Sequence, residues 1–288
     1  MFTTIISAAE LQELQQSGSP TMVFDCSFDL ALPDAGKQMF EASHLPGAVY
    51  AHLDTNLSAK GDRLHTGAAS SGRHPLPSRE NFAKWLGQMG FGNHMQAIVY
   101  DRQGSNFCGR LWWMLKWLGH ARVAVLDGGL QAWQASGGAV VSGPSHAQTP
   151  TEFSISPALL ALVNVETVLA HLGKPEQTVI DARAVPRFRG DVEPLDPVAG
   201  HIPGALNRPF SNNFTADGFF KSKEVLRIEF EELLGARRPE HIVHHCGSGV
   251  TAIPNILAME IAGLGSTALF AGSWSEWCSD PHRPVAKG

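Results

Sequence analysis

One cysteine in this chain stands in surroundings suited to nucleophilic chemistry. Cys246 closes the apolar run 242–246, IVHHC, and is followed by Gly247, Ser248, Gly249, Val250, Thr251 and Ala252; an apolar helical pattern through Ile256, Leu257 and Met259 comes next. Glycines on either side of a small polar residue let successive backbone N–H groups turn inward as an anion nest, and a helix starting there adds the positive end of its dipole. Both effects favour thiolate over thiol, and the thiolate is the nucleophile. The plain alternative is an inert, packed cysteine at a strand end, and the glycine pattern weighs against it. Cys26, Cys108 and Cys278 have no comparable setting and read as small buried hydrophobes. There is no C-x-x-C pair and no zinc-spaced Cys/His cluster, so neither a disulfide framework nor a structural metal is expected.

A strand-end cysteine before a small-residue loop also describes cysteine phosphatases, which need an arginine six positions on to clamp the phosphoryl oxygens. Ala252 occupies that position, which disfavours phosphatase chemistry. His244 and His245 precede the cysteine on the strand, where side chains alternate between faces, so at most one of them lines the site and both are expected to be structural.

The elements that must position this loop occur twice. MVFDCS with Asp25 returns as TVIDAR with Asp181, HLPGA at His44 as HIPGA at His201, AIVYD ending at Asp101 as IVHHC ending at Cys246, and LDGGLQAW as FAGSWSEW. Four landmarks in one order at nearly constant spacing indicate a duplicated domain. The first copy has Asp101 where the second has Cys246, and so lacks the nucleophile. Short apolar runs alternate with helical patterns in each copy, which predicts an α/β domain with a mainly parallel sheet flanked by helices. Residues 1–141 and 158–288 are expected as the two domains, and the Ser/Pro/Gly/Thr-rich stretch 142–157 as their linker. The Ser/Gly/His-rich stretch from Asn56 to Arg79 is extra in the first copy and reads as a loop. Ser7 with Glu10 fits a capping box, and Asn164 caps the matching helix of the second copy. Trp112, Trp113 and Trp117 lie at helical spacing and are expected in the core or in packing between domains rather than around a ligand.

Composition excludes several classes. At 288 residues, 43% hydrophobic and 17% charged, the chain is neither disordered nor a coiled coil. A net charge of −5 without a basic run argues against nucleic-acid partners. The longest apolar runs fall well short of the roughly 18 residues that span a bilayer, so no membrane is expected. The N-terminus shows no secretory signal, which makes the cytosol the expected compartment.

The tandem α/β repeat, one copy without a nucleophile, with H-[LI]-P-G-A in each and CGSGVTA in the second, resembles the two-domain rhodanese sulfurtransferases over nearly the whole chain. Within that family the C-G-S-G-V loop is similar to that of the 3-mercaptopyruvate enzymes, whereas thiosulfate-preferring members typically carry two basic residues in C-R-K-G-V. The resemblance implies that Cys246 accepts sulfur, that Ser248, His74 and Asp54 form a proton-handling set, and that Arg187 grips a substrate carboxylate. On residues alone, His74 reads as a loop histidine and Asp54 equally as a cap or turn residue, while for Arg187 a surface arginine in a loop is the lesser alternative. The sequence departs from the family at two places. Asp196 stands where mercaptopyruvate enzymes generally have a second arginine, leaving Arg189, Arg73 or Arg102 to replace the charge. Pro254 falls early in the helix after the loop, where it removes an amide donor.

The expected activity is double-displacement sulfur transfer through a Cys246 persulfide, held by the N–H groups of Gly247, Gly249, Val250 and Thr251 and needing no metal or organic cofactor. The expected donor is 3-mercaptopyruvate, with thiosulfate as the alternative; the acceptor is cyanide, a thiol or a thioredoxin-like protein. A rival reading is a persulfide carrier that does not turn over small donors.

Overall fold

The computed structural model describes residues 1–60, 68–145 and 148–288. The chain divides into two compact units. Unit 1 holds Met1–Ala69, Pro77–Leu159 and Ala216–Phe219; unit 2 holds Ser70–Leu76, Leu160–Thr215 and Phe220–Gly288. Each half of the chain thus gives one short segment to the other half's unit, an exchange that the repeat pattern does not reveal.

Unit 1 runs β1 Ile5–Ile6, α1 Ala8–Gln16, β2 Thr21–Asp25, α2 Ala35–Ala42, β3 Val49–Tyr50, α3 Arg79–Gln88, β4 Gln96–Tyr100, α4 Cys108–Trp117, β5 Val123–Leu126 and α5 Gly129–Ala135. Unit 2 repeats the series as β6 Ala161–Val163, α6 Val165–Ala170, β7 Thr178–Asp181, α7 Val185–Arg189, β8 Leu206–Asn207, α8 Lys223–Leu234, β9 Ile242–His245, α9 Ile253–Ile261, β10 Ala268–Phe270 and α10 Ser273–Trp277. The sheets have matching orders, β1-β5-β4-β2-β3 and β6-β10-β9-β7-β8, and the pairings between these strands are parallel. Asp25 pairs in register with Tyr100 and Asp181 with His245, which brings Asp101 and Cys246 to equivalent carboxyl ends of a central strand.

These elements follow from local chemistry. The Ser7 hydroxyl accepts from the Glu10 amide at 3.2 Å, and Glu10 accepts from the Ser7 amide at 2.9 Å, closing the capping box of α1. Asn164 Oδ1 accepts from the Thr167 amide at 2.9 Å and opens α6. Strands β4 and β9 are buried along their whole length, as expected where helices cover both faces of a parallel sheet. Val23, Phe40, Ile98 and Trp133 belong to the core of unit 1, and Val179, Val243, Phe270 and Trp274 to that of unit 2. Each such side chain contributes about 1.5–3 kcal/mol of burial. Trp112, Trp113 and Trp117 are buried in α4, with the last two stacked at 5.6 Å.

The repeated H-x-P-G-A motif serves this framework. His44 stacks on Phe40 at 3.8 Å with its Nδ1 2.7 Å from the Phe40 carbonyl. His201 does the same with Phe188, at 3.9 Å and 2.8 Å. Within the expected linker 142–157, Thr151 N donates to Gly87 O at 2.8 Å, Ser156 N to Leu118 O at 2.9 Å, and Phe153 stacks on Phe91. His146 and Ala147 of that linker, and residues 61–67 of the expected 56–79 loop, lie outside the described residues.

Candidate active site at the end of β9

Cys246 follows β9 at the carboxyl end of the unit 2 sheet and is 1% exposed. Its loop is held by its carbonyls. Trp274 N donates to Cys246 O at 3.0 Å and Ser275 N to Gly247 O at 2.9 Å, both from the first turn of α10. The Cys246 amide donates to Ser273 Oγ at 3.1 Å, and that hydroxyl donates to Phe270 O at 3.0 Å. Gly249 has φ +73°, and a Cβ there would lie 2.1 Å from the Ala271 carbonyl oxygen, so no other residue fits. Among the described residues, the amides of Gly247, Ser248, Val250 and Thr251 have no protein acceptor. An anion at the loop would satisfy them. Pro254 sits at the first turn of α9, where amides have no partner within the helix, so it costs the helix no hydrogen bond.

Segment 70–76, part of unit 2, brings His74 to this loop. His74 Nδ1 lies 2.7 Å from Ser248 Oγ, with His74 1% and Ser248 7% exposed. The segment is anchored to α10 through Arg73 N donating to Ser275 Oγ at 3.0 Å and through the Ser71 hydroxyl on Glu276. Asp54, the third residue of the expected set, belongs to unit 1, where its Oδ2 accepts from Lys60 Nζ at 2.8 Å and its amide donates to His52 Nδ1 at 3.1 Å.

Beside the loop runs a chain of alternating charges. Arg183 binds Asp181 at 2.6 Å and Glu193 at 3.2 Å. Arg187 grips Glu193 with Nη2 at 2.6 Å and Nε at 3.2 Å, and its Nη2 also reaches Asp196 at 3.4 Å. Asp196 then takes Arg73 Nη1 at 2.6 Å. A Cβ on Gly247 would lie 3.0 Å from Arg73 and 3.5 Å from Arg187, so both guanidinium groups stand over the loop. Of the three arginines offered as substitutes for the missing family charge, Arg73 is the one at Gly247. Arg102 is in unit 1 on Asp25 and Ser27, and Arg189 pairs with Asp191 at an exposed site. Burial raises the Glu193 pKa, but Arg187 and the Leu195 amide bring it below the usual carboxylate range. Burial, assisted by Glu193, pushes Asp196 up against the opposing pull of Arg73 and Arg187.

His244 and His245 are both fully buried. His244 Nε2 lies 3.3 Å from Met259 Sδ, and burial pushes its pKa down to about 3. His245 Nε2 is 3.6 Å from Asp181.

Ser273 and Glu193 escaped the reading of the sequence. For Ser273 a signal existed: it aligns with Gly129 of the first copy, and the two share left-handed backbone, φ 55° and 59°. A serine in that conformation is strained, and here its hydroxyl fixes the cysteine's amide. Glu193 had no signal, because ion pairing between loop residues leaves no periodic trace.

The rhodanese-like domain family matches residues 7–136 and 164–280. A protein of Pseudomonas aeruginosa described as a probable 3-mercaptopyruvate sulfurtransferase is 43% identical, covering 98% of this chain and all of its own length. A putative thiosulfate sulfurtransferase of Mycobacterium tuberculosis is 38% identical over 99% of this chain and 97% of its own. Among solved structures, the 3-mercaptopyruvate sulfurtransferase of Leishmania major superposes with a TM-score of 0.83 at 31% identity, covering 98% of this chain and 76% of that one.

Proposed function

Because this chain belongs to the rhodanese family, we propose that it is a sulfurtransferase working through a persulfide on Cys246, with 3-mercaptopyruvate as its donor. The observation that carries the reading is the Cys246 loop, whose amides at Gly247, Ser248, Val250 and Thr251 have no protein acceptor among the described residues. A sulfur bonded to Sγ extends about 2.05 Å beyond it, and its negative charge is what such amides stabilise. Gly249 gives the loop the backbone turn this requires.

In the first step the Cys246 thiolate attacks the donor sulfur, an S–S bond forms and the C–S bond of mercaptopyruvate breaks. The bonding electrons leave on the pyruvate enolate, whose carbon takes up the proton that the donor thiol gives up. Ser248 and His74, in hydrogen-bond contact at 2.7 Å, are suited to passing that proton. For Asp54 the carboxylate role rests on the family resemblance alone, and Asp54→Asn tests it by its effect on turnover. Arg187 and Arg73 orient the donor carboxylate. In the second step cyanide, a small thiol or a thioredoxin-like protein attacks the outer sulfur and returns the Cys246 thiolate. These steps call on no metal.

Two observations support a keto-acid donor. The side chains at 247 and 248 are uncharged, and the guanidinium groups stand over Gly247 rather than within the loop. Thiosulfate is the second reading, favoured by the description of the mycobacterial relative. We place the activity in the cytosol, where its free cysteines stay reduced. No helix among the described residues is long and apolar enough to cross a membrane.

The test is intact-mass spectrometry after exposure to 3-mercaptopyruvate. A gain of about 32 Da, one sulfur atom, is expected on wild type and not on Cys246→Ser. Turnover with thiosulfate equal to or better than with mercaptopyruvate would overturn the donor assignment. An adduct without turnover on any small acceptor would leave a carrier instead of an enzyme.

A further inference from the structure

The two guanidinium groups over Gly247 already have a carboxylate between them. Asp196 Oδ1 takes Arg73 at 2.6 Å, its Oδ2 lies 3.4 Å from Arg187, and its side chain is 4% exposed. Arg187 is in addition held by both oxygens of Glu193. The cations of this cluster, Arg73, Arg183 and Arg187, are matched one for one by Asp181, Glu193 and Asp196. A positive wall beside a sulfur-accepting cysteine would draw in any small anion, and more strongly the higher its charge. This wall carries donors of hydrogen bonds but no net charge.

We propose that Asp196 is the specificity-determining residue of the donor subsite, a fixed counter-anion that sets the charge of the donor the site accepts. A donor with one negative charge, such as an α-keto carboxylate, gains the directional N–H donors of Arg73 and Arg187 and pays little repulsion. A dianion such as thiosulfate meets the same donors with twice the repulsion from Asp196 and no compensating field. Discrimination thus arises from a repulsive element rather than from a missing contact. The inference rests on the sulfur-transfer reading above and deepens it, because it assigns the donor's charge class to a residue that departs from the family pattern.

The physics gives a quantitative signature. Removing one fixed negative charge changes the binding energy in proportion to the ligand's charge, so the logarithm of the gain for a dianion is about twice that for a monoanion. The experiment measures the donor dependence of persulfide formation in single turnover, for wild type, Asp196→Asn and Asp196→Ala, with 3-mercaptopyruvate and with thiosulfate. At low salt, half-saturation with mercaptopyruvate is expected to fall about tenfold in Asp196→Asn and that with thiosulfate about a hundredfold, with both gains shrinking as salt is raised. The ratio between donors cancels any difference in the amount of folded protein, and the alanine variant is expected to give the same ratio. Equal shifts for the two donors, no shift, or weaker binding of both would overturn the proposal, since those are the results of a residue that only braces Arg73. If wild type forms no persulfide with either donor, the sulfur-transfer reading fails instead, so the two failures are separable.

Discussion

After β4 in unit 1 and after β9 in unit 2 the chain leaves the sheet at equivalent points and enters a buried helix, but the residue at the exit is Asp101 in one and Cys246 in the other. The Asp101 carboxylate accepts four backbone amides, from Gln103 and Ser105 at 2.9 Å, Phe107 at 2.8 Å and Cys108 at 2.9 Å. Burial raises its pKa, and these four donors oppose the rise. Unit 1 therefore contains the anion site filled by its own side chain. In unit 2 the cysteine is too short and too weak an acceptor to do the same, and loop amides remain for an anion brought from outside. The comparison teaches that the fold supplies anion binding at this place, and that one residue decides whether the site closes on itself or stays open to substrate.

Exchanging that residue is expected to have the largest effect. Cys246→Asp is expected to abolish sulfur transfer completely while the protein remains folded, and a crystal structure should show the new carboxylate accepting loop amides as Asp101 does. Retained turnover would mean that another group carries the sulfur. The converse change, Asp101→Ala, leaves four buried amides without their acceptor and is expected to cost about 3 kcal/mol or more in denaturant unfolding, at fixed m-value. A loss below about 1 kcal/mol would show that the four bonds are not the stabilising feature of unit 1.

A smaller effect is expected on stability in acid. At the strand position that Val99 holds in unit 1, unit 2 carries His244, kept neutral by burial with its pKa down at about 3. Its unfolded-state pKa is near 6.5. The unfolded chain therefore binds a proton that the folded one refuses, and stability is full above about pH 6.5 and falls between there and about pH 3. The slope from this group is at most about 1.4 kcal/mol per pH unit. His244→Val should flatten the acid limb of stability measured by urea unfolding from pH 7 to 4. An unchanged slope would place the acid sensitivity elsewhere.

Much of this architecture is legible in the sequence. The landmark repeats anticipated two like sheets, and the capping residues at Ser7 and Asn164 act as their positions suggested. The turn after Cys246 was legible because glycines mark a turn that only they can make, and Gly249 makes it. The H-x-P-G-A repeats were equally conspicuous, yet in both copies their histidines stack on a phenylalanine and support the framework. The choice among Arg73, Arg102 and Arg189 was not legible, because it depends on segment 70–76 joining unit 2, and no local pattern records such an exchange. The same holds for Asp196: its sequence position shows only that a family arginine is absent, and its pairing with Arg73 depends on the same segment.

The most direct test of the central claim is a crystal structure of the wild-type protein after reaction with donor. An outer sulfur on Cys246 is expected within hydrogen-bond range of amides from the Gly247–Thr251 loop. A persulfide pointing away from that loop, or amides turned to other acceptors with sulfur transfer intact, would contradict it.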